Sequence, residues 1–257
     1  MSAHIRSVIV SANISAVEEK SDVTYGSPAL RRAVLLANQT IPKAGLAQLT
    51  WGNVSGIDRE GGFYLIKPSG VAYDELTEDH LVPVDLETGK VLAGDLRPSV
   101  DSESHRAFYL AWPSIGGVTH THSTNAVAFA QANRDIPVLG TTHADTFNGP
   151  VPVTRTLTPD ECATDYELNT GRVIIETIGD DEAAAATPAA LVANHGPFTW
   201  GATPQKSVEN GIILEAVAEM ALKTLALNPN ASTPAHLQER HFKRKHGPGA
   251  YYGNPRP

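Results

Sequence analysis

Apolar residues recur at helical spacing from residue 27 onward, behind a helix-start signal. Ser27 stands as N-cap with Pro28 in the first turn, and Leu30, Val34, Ala37 and Ile41 follow at intervals of three or four. This predicts a helix closed by Pro42. The period then changes. Phe63 to Lys67 reads as a strand, Val82–Leu86 and Lys90–Ala93 as a hairpin around Glu87-Thr88-Gly89, and Gly117 to His122 as a further strand. Ser102 to Trp112 reads as a short helix stopped by Pro113. Thr158 and Pro159 supply a cap and a first turn for another helix, and Thr203-Pro204 opens a long one running to about Leu227. Residues 179–190, rich in alanine and acids, read as a surface connection before a strand at Ala190–Ala193. Residues 1–26 show weak periodicity and are expected to form a flexible extension, leaving 27–257 as one α/β layered domain.

Composition narrows the function class. With 257 residues, 41% hydrophobic and 19% charged, the chain has material for a real core and none of the bias of a disordered or fibrous protein. Acids outnumber bases 28 to 20, a net of −8, which argues against a general nucleic-acid binder but leaves room for a local anion pocket. The lone Cys162 excludes an intrachain disulfide and suits a reducing compartment. No apolar run reaches the ~20 residues that span a bilayer, and the first fifteen residues make a poor signal peptide, so a cytoplasmic protein is expected.

Three clusters carry candidate chemistry. His120 and His122 lie two apart, so on a strand both imidazoles face the same side, roughly 6.5–7 Å apart along the chain. They are either a pair of metal ligands or two surface or core histidines. His195, at the end of the Ala190–Ala193 run and before Gly196-Pro197, favours the former. Three neutral imidazoles suit Zn²⁺, with Mn²⁺ or Co²⁺ also compatible. Asp101, just before the 102–112 helix, is either a fourth group at that ion or simply an N-cap. The second cluster, Thr50-Trp51-Gly52-Asn53-Val54-Ser55-Gly56 with Lys67-Pro68-Ser69-Gly70, combines glycines, hydroxyls, an amide and a cation, as an anion pocket requires. It lacks P-loop spacing, and two ordinary turns would look alike. The third pairs Thr141-Thr142-His143-Ala144-Asp145 with Tyr251-Tyr252-Gly253. A carboxylate and a phenol can serve as acid and base, against the plain alternatives of a turn residue and a packed tail. The basic run Lys243-Arg244-Lys245-His246 reads as a solvated face.

Seven ordered blocks, LTWGNVSGID, IKPSGVAYDELT, GDLRPSVDSESHRA, IGGVTHTHSTNA, GTTHAD, NHGPFTWG and KHGPGAYYG, resemble the L-ribulose-5-phosphate 4-epimerase family of the class II, metal-dependent aldolase superfamily over about residues 27–254. The resemblance implies a three-layer α/β/α fold around a mixed, largely antiparallel sheet, assembled as a homotetramer with sites shared between subunits. It implies Zn²⁺ on His120, His122 and His195 with Asp101 as an additional ligand. Gly52, Asn53, Ser69, Gly70 and Ser99, with Lys67, match contacts to a phosphorylated sugar, and Asp145 and Tyr252 match acid/base residues arriving from a neighbouring subunit. The implied activity is an isomerase reaction, epimerisation of L-ribulose 5-phosphate to D-xylulose 5-phosphate at C4, as in arabinose catabolism.

Three departures stand out. Val100 replaces a second serine beside the phosphate, Ala193-Asn194-His195 replaces a His-Ser-His run, and the N-terminal extension has no counterpart. Related aldolases usually carry Glu where Asp101 stands, which favours epimerase over lyase and leaves another pentulose 5-phosphate open as substrate. Non-catalytic cytoskeletal head domains of the same superfold have lost the metal ligands that this chain keeps.

Overall fold

The computed structural model describes residues 24–247 and 249–251. The first predicted helix is present as α1 (Pro28–Lys43). The Ser27 hydroxyl accepts from the Leu30 amide, and Val34, Ala37 and Ile41 are buried. Pro42 falls within the last turn, so the helix ends one residue beyond the predicted stop. Most of the predicted extension lies outside the described residues, but Tyr25 packs edge-on against Phe63 with ring centroids 5.4 Å apart.

Gly52–Gly56, part of the candidate anion cluster for which two ordinary turns were the plain alternative, belongs to a strand, β1 (Gly52–Asp58). Four consecutive residues, Asn53 to Gly56, are buried, so both faces are covered and no alternation of apolar and polar positions marks the strand. Asn38 of α1 locks it in place: its Nδ2 donates to the carbonyls of Val34 and Val54, and its Oδ1 accepts from the Val54 amide at 2.8 Å.

The chain continues through β2 (Phe63–Ile66), a 3₁₀ turn at Glu78–His80 and β3 (Val82–Asp85). The predicted hairpin exists only in part, since β3 pairs with β2 and meets the 90–93 segment through a single bridge, Val84 to Val91. Next come α2 (Ser102–Ala111), β4 (Gly117–Thr121), α3 (Thr124–Gln131) and the single turn α4 (Thr141–Ala144). The Thr158 signal starts α5 (Pro159–Ala163), which breaks before α6 (Tyr166–Ile178). The 179–190 stretch is not a plain connection: it holds α7 (Asp181–Ala186), capped by Asp180 and burying Ala184 against the core. Alanine's high helix propensity and a good acidic cap win over the low complexity. Then follow β5 (Ala189–Leu191), β6 (Pro197–Gly201), the long α8 (Pro204–Leu227) and α9 (Ala235–Lys245).

Among the described residues the strands form one six-stranded sheet in the order β3-β2-β1-β4-β6-β5, every ladder antiparallel. Among the described residues, parallel pairing is limited to one bridge, Val153 to Leu191. Tyr64, Val118, Phe198 and Trp200 meet Phe108 of α2 and Trp112 just after it, Ile174 of α6 and Ala184 of α7 on one face. On the other, Val54 packs with Ala37 and Ile41 of α1 and Val208 of α8, and α8 also covers α3 and β5. These are the expected three layers. The α8 layer sits very close to β4, since a Cβ on Gly117 would lie 2.4 Å from the Pro204 nitrogen. No helix among the described residues is long and apolar enough to cross a membrane.

Candidate metal centre and substrate cavity

β4 lies between β1 and β6, and its register puts His120 opposite Asn53 on one side and Phe198 on the other. The His120 ring stacks on Phe198 at 4.2 Å, and its Nδ1–H donates to the Pro197 carbonyl at 3.0 Å. That bond fixes the tautomer and leaves Nε2 as a lone-pair donor. His122 lies just past the strand, with Nε2 3.2 Å from Nε2 of His120. His195 arrives from the turn between β5 and β6, where Asn194 takes a left-handed conformation (φ 61°) and the His195 amide donates to Val192 O. One ring nitrogen from each of the three lies within 4.8 Å of the others.

This donor set fits a divalent ion. Two nitrogens bound tetrahedrally at 2.0–2.1 Å stand roughly 3.3 Å apart, close to the His120–His122 spacing. Burial first, and the neighbouring imidazoles second, hold His195 down at about 4 and lower His122 as well, so both rings stay neutral and able to ligate.

Asp101 occupies the N-cap position of α2 but makes no capping hydrogen bond with its side chain. Its Oδ2 instead accepts from Asn53 Nδ2 at 2.6 Å and from Ser99 Oγ at 3.3 Å. Burial opposes its ionisation, but His120, His105 and the Asn53 amide outweigh that and hold the carboxyl below its ordinary range. It borders the cavity beside the imidazoles without joining their tight cluster.

The imidazoles and the anion cluster share one cavity of about 430 Å³, lined also by Gly52, Asn53, Lys67, Ser69, Gly70, Ser99 and Val100. The Ser99 amide donates to Lys67 O and the Ser69 amide to Arg97 O, which joins the two loops. Lys67 is buried at 2% exposure, its Nζ 4.9 Å from the Tyr73 ring centroid, and burial lowers it to about 8. Gly52 is required where it stands: at φ 114° a Cβ would meet the His120 carbonyl at 2.7 Å. Trp51, Tyr166 and Glu167 also line this space. Tyr166 was not foreseen. A left-handed Asp165 (φ 47°) turns the chain there and brings the phenol oxygen 3.5 Å from His195 Nδ1. No local motif announces that contact.

Asp145 does not reach this cavity within one chain. It follows α4 and accepts from Arg244 Nε at 2.9 Å and Nη2 at 2.5 Å and from His241 Nδ1 at 2.9 Å, with Lys245 Nζ at 3.5 Å. Burial would raise its pKa, but these donors outweigh burial and lower it. The 243–246 run is therefore not a free solvated face. Arg244, Lys245 and His246 all contact Asp145 and tie α9 to α4. Tyr252 lies outside the described residues.

Fold and site define a class. The model of the Class II Aldolase and Adducin N-terminal domain family matches residues 32–222. An L-fuculose 1-phosphate aldolase structure superposes with a TM-score of 0.72 at 22% identity, covering 85% of this chain and 97% of that one. The L-fuculose-1-phosphate aldolase of Thermus thermophilus gives 0.59 at 25% identity, covering 80% and 98%. In sequence, the chain is 52% identical over 226 residues to the L-ribulose-5-phosphate 4-epimerase UlaF of Salmonella paratyphi C, covering 87% of this chain and 98% of the relative. The counterpart in Salmonella typhi is 51% identical over 225 residues, with the same coverage. The chain belongs to the class II aldolase family and, within it, to the L-ribulose-5-phosphate 4-epimerases.

Metal-stripped protein is expected to take up one divalent ion per chain. His122→Asn should weaken uptake by more than the roughly 10–100-fold typical of losing an outer-shell partner. Calorimetric titration reads this directly, and uptake equal to that of the unsubstituted chain would place the ion elsewhere.

Proposed function

We propose that this protein is a cytoplasmic, homotetrameric enzyme that interconverts L-ribulose 5-phosphate and D-xylulose 5-phosphate by inverting C4. The observation that carries the reading is the joining, in one cavity, of three convergent imidazoles with the Lys67, Ser69, Gly70 and Ser99 anion cluster. The 52% identity to a named 4-epimerase supports the choice of substrate. His120, His122 and His195 would hold Zn²⁺, with Mn²⁺ or Co²⁺ as substitutes, and Asp101 stands beside them as an additional ligand. A divalent ion held there supplies Lewis acidity that lowers the cost of negative charge on the sugar oxygens.

C4 carries no acidic proton, so deprotonation and return cannot invert it. Breaking C3–C4 can. A base takes the proton of the C4 hydroxyl, the bond pair moves toward C2, and the fragments are the enediolate of dihydroxyacetone and glycolaldehyde phosphate. Lys67, Ser69, Gly70 and Ser99, with Gly52 and Asn53, keep the phosphate in place while the aldehyde turns over. C3 then attacks its opposite face, and the new C4 oxygen takes a proton from that side. Two proton carriers on opposite faces are needed, which are Asp145 and Tyr252 brought in by a neighbouring copy. Retention of both fragments separates this reaction from that of an aldolase.

NMR of Zn²⁺-loaded protein with L-ribulose 5-phosphate should show D-xylulose 5-phosphate and no free fragments. Accumulating dihydroxyacetone and glycolaldehyde phosphate would make the chain a lyase, and no reaction in a metal-replete sample would reject this substrate and point to Val100. A second expectation concerns Lys67. Its ammonium is lost as pH rises through about 8, removing a cation from the phosphate site, so kcat/KM should fall above that pH. Lys67→Met should start low and lack that limb. An unchanged profile in Lys67→Met would remove the residue from phosphate binding.

A further inference from the structure

The three imidazoles are not held equally. His120 lies within the β4 ladders and donates to Pro197 O. His195 is fixed by a turn in which its amide donates to Val192 O and the Val192 amide donates to Gly196 O. His122 has neither support. Its backbone falls beyond the last paired residue of β4, its side chain is exposed, and its ring neighbours are the other two histidines and Trp51 at 6.4 Å. It is anchored on one side by Thr121, paired with Gly52 at the end of β4, and on the other by Ser123 and the start of α3.

That start is not capped locally, because the Ser123 side chain makes no capping hydrogen bond. Glu215 of α8, ninety positions further along, takes over. Its Oε1 accepts from the Asn125 amide at 2.9 Å and from Asn125 Nδ2 at 2.7 Å, and its Oε2 accepts from the Ala126 amide at 3.0 Å. A carboxylate at a helix N-terminus is favoured by the dipole, and charge-assisted bonds are the stronger kind. The platform beneath is tightly packed: Leu214, Val217 and Ala218 of α8 are buried in one cluster with Ala126, Phe129 and Ala130 of α3.

We infer that Glu215 is a positioning residue for the metal centre: it fixes the first turn of α3 and thereby holds His122 at the spacing that a shared ion requires. The inference rests on the metal reading above. The test uses the full, metal-stripped chain, with Zn²⁺ titrated calorimetrically, the Co²⁺ absorption spectrum recorded, and the metal-free Tm measured alongside. Glu215→Gln keeps the bulk but has only one acceptor oxygen for amides that use two. It should raise the Zn²⁺ Kd about tenfold and shift the Co²⁺ bands. Glu219→Gln, on the same helix but exposed and paired with Lys223, should leave both unchanged. If Glu215→Ala fails to fold, Glu215→Gln decides. A lowered Tm with the native Kd and native Co²⁺ spectrum would make Glu215 a stabiliser of α3 only and overturn the inference. Failure of the unsubstituted chain to bind Zn²⁺ would instead overturn the metal reading itself.

Discussion

The site hangs on the register of β4. Paired antiparallel to β1 and to β6, this strand has one alignment in which Val118 enters the aromatic core, Thr119 faces α8 and His120 faces the cavity. Side chains alternate along a strand, so a slip of one residue would send His120 to the wrong face and Thr119 into the core. The alignment is held from both sides. Phe198 stacks on the imidazole from β6, and α8 closes against Gly117 so tightly that no side chain fits between them. Thr119 Oγ1 and Ser207 Oγ, 2.6 Å apart, satisfy the two polar groups that this close approach buries.

From that strand the rest of the cavity follows. β1 on one side supplies Gly52 and Asn53, and Asn53 donates to one oxygen of the Asp101 carboxylate at the cavity wall. The residue after β2 is Lys67, a buried cation in the wall of the same cavity, in a chain that carries a net charge of −8. The acidic balance of the whole and the proposed affinity for a phosphate do not conflict, because the relevant field is set within a few ångströms of a desolvated ammonium.

How much of this was legible depended on whether the signal was local. The caps at Ser27, Thr158 and Thr203 each start a helix, and His120-Thr121-His122 falls on and just past a strand, as its spacing suggests. β1 was not legible as a strand, because glycine, asparagine and serine at buried positions erase the period that a half-buried strand shows. Composition misled at 179–190, where alanines that look like linker form α7. For Asp101 the sequence left cap and site residue equally open; in the structure its side chain makes no capping bond and accepts instead from Asn53, 48 positions away, and from nearby Ser99. Tyr166 and Glu215 were invisible for the same reason: their partners lie 29 and 90 positions away. The basic run 243–246 looked solvated because its partner, Asp145, is about a hundred residues earlier.

Within one chain the imidazole cavity and Asp145, anchored to α9, lie apart. The proposed reaction, with Asp145 and Tyr252 as its proton carriers, therefore calls for sites formed between copies, one copy giving the three imidazoles and its neighbour giving Asp145 and Tyr252. The direct measurement mixes two inactive chains, His122→Asn and Tyr252→Phe, by co-expression. Random mixing in a closed oligomer leaves about a quarter of the sites with both halves intact, so about a quarter of the native specific activity should return. Hybrids that assemble but stay as inactive as either parent would contradict a site shared between subunits.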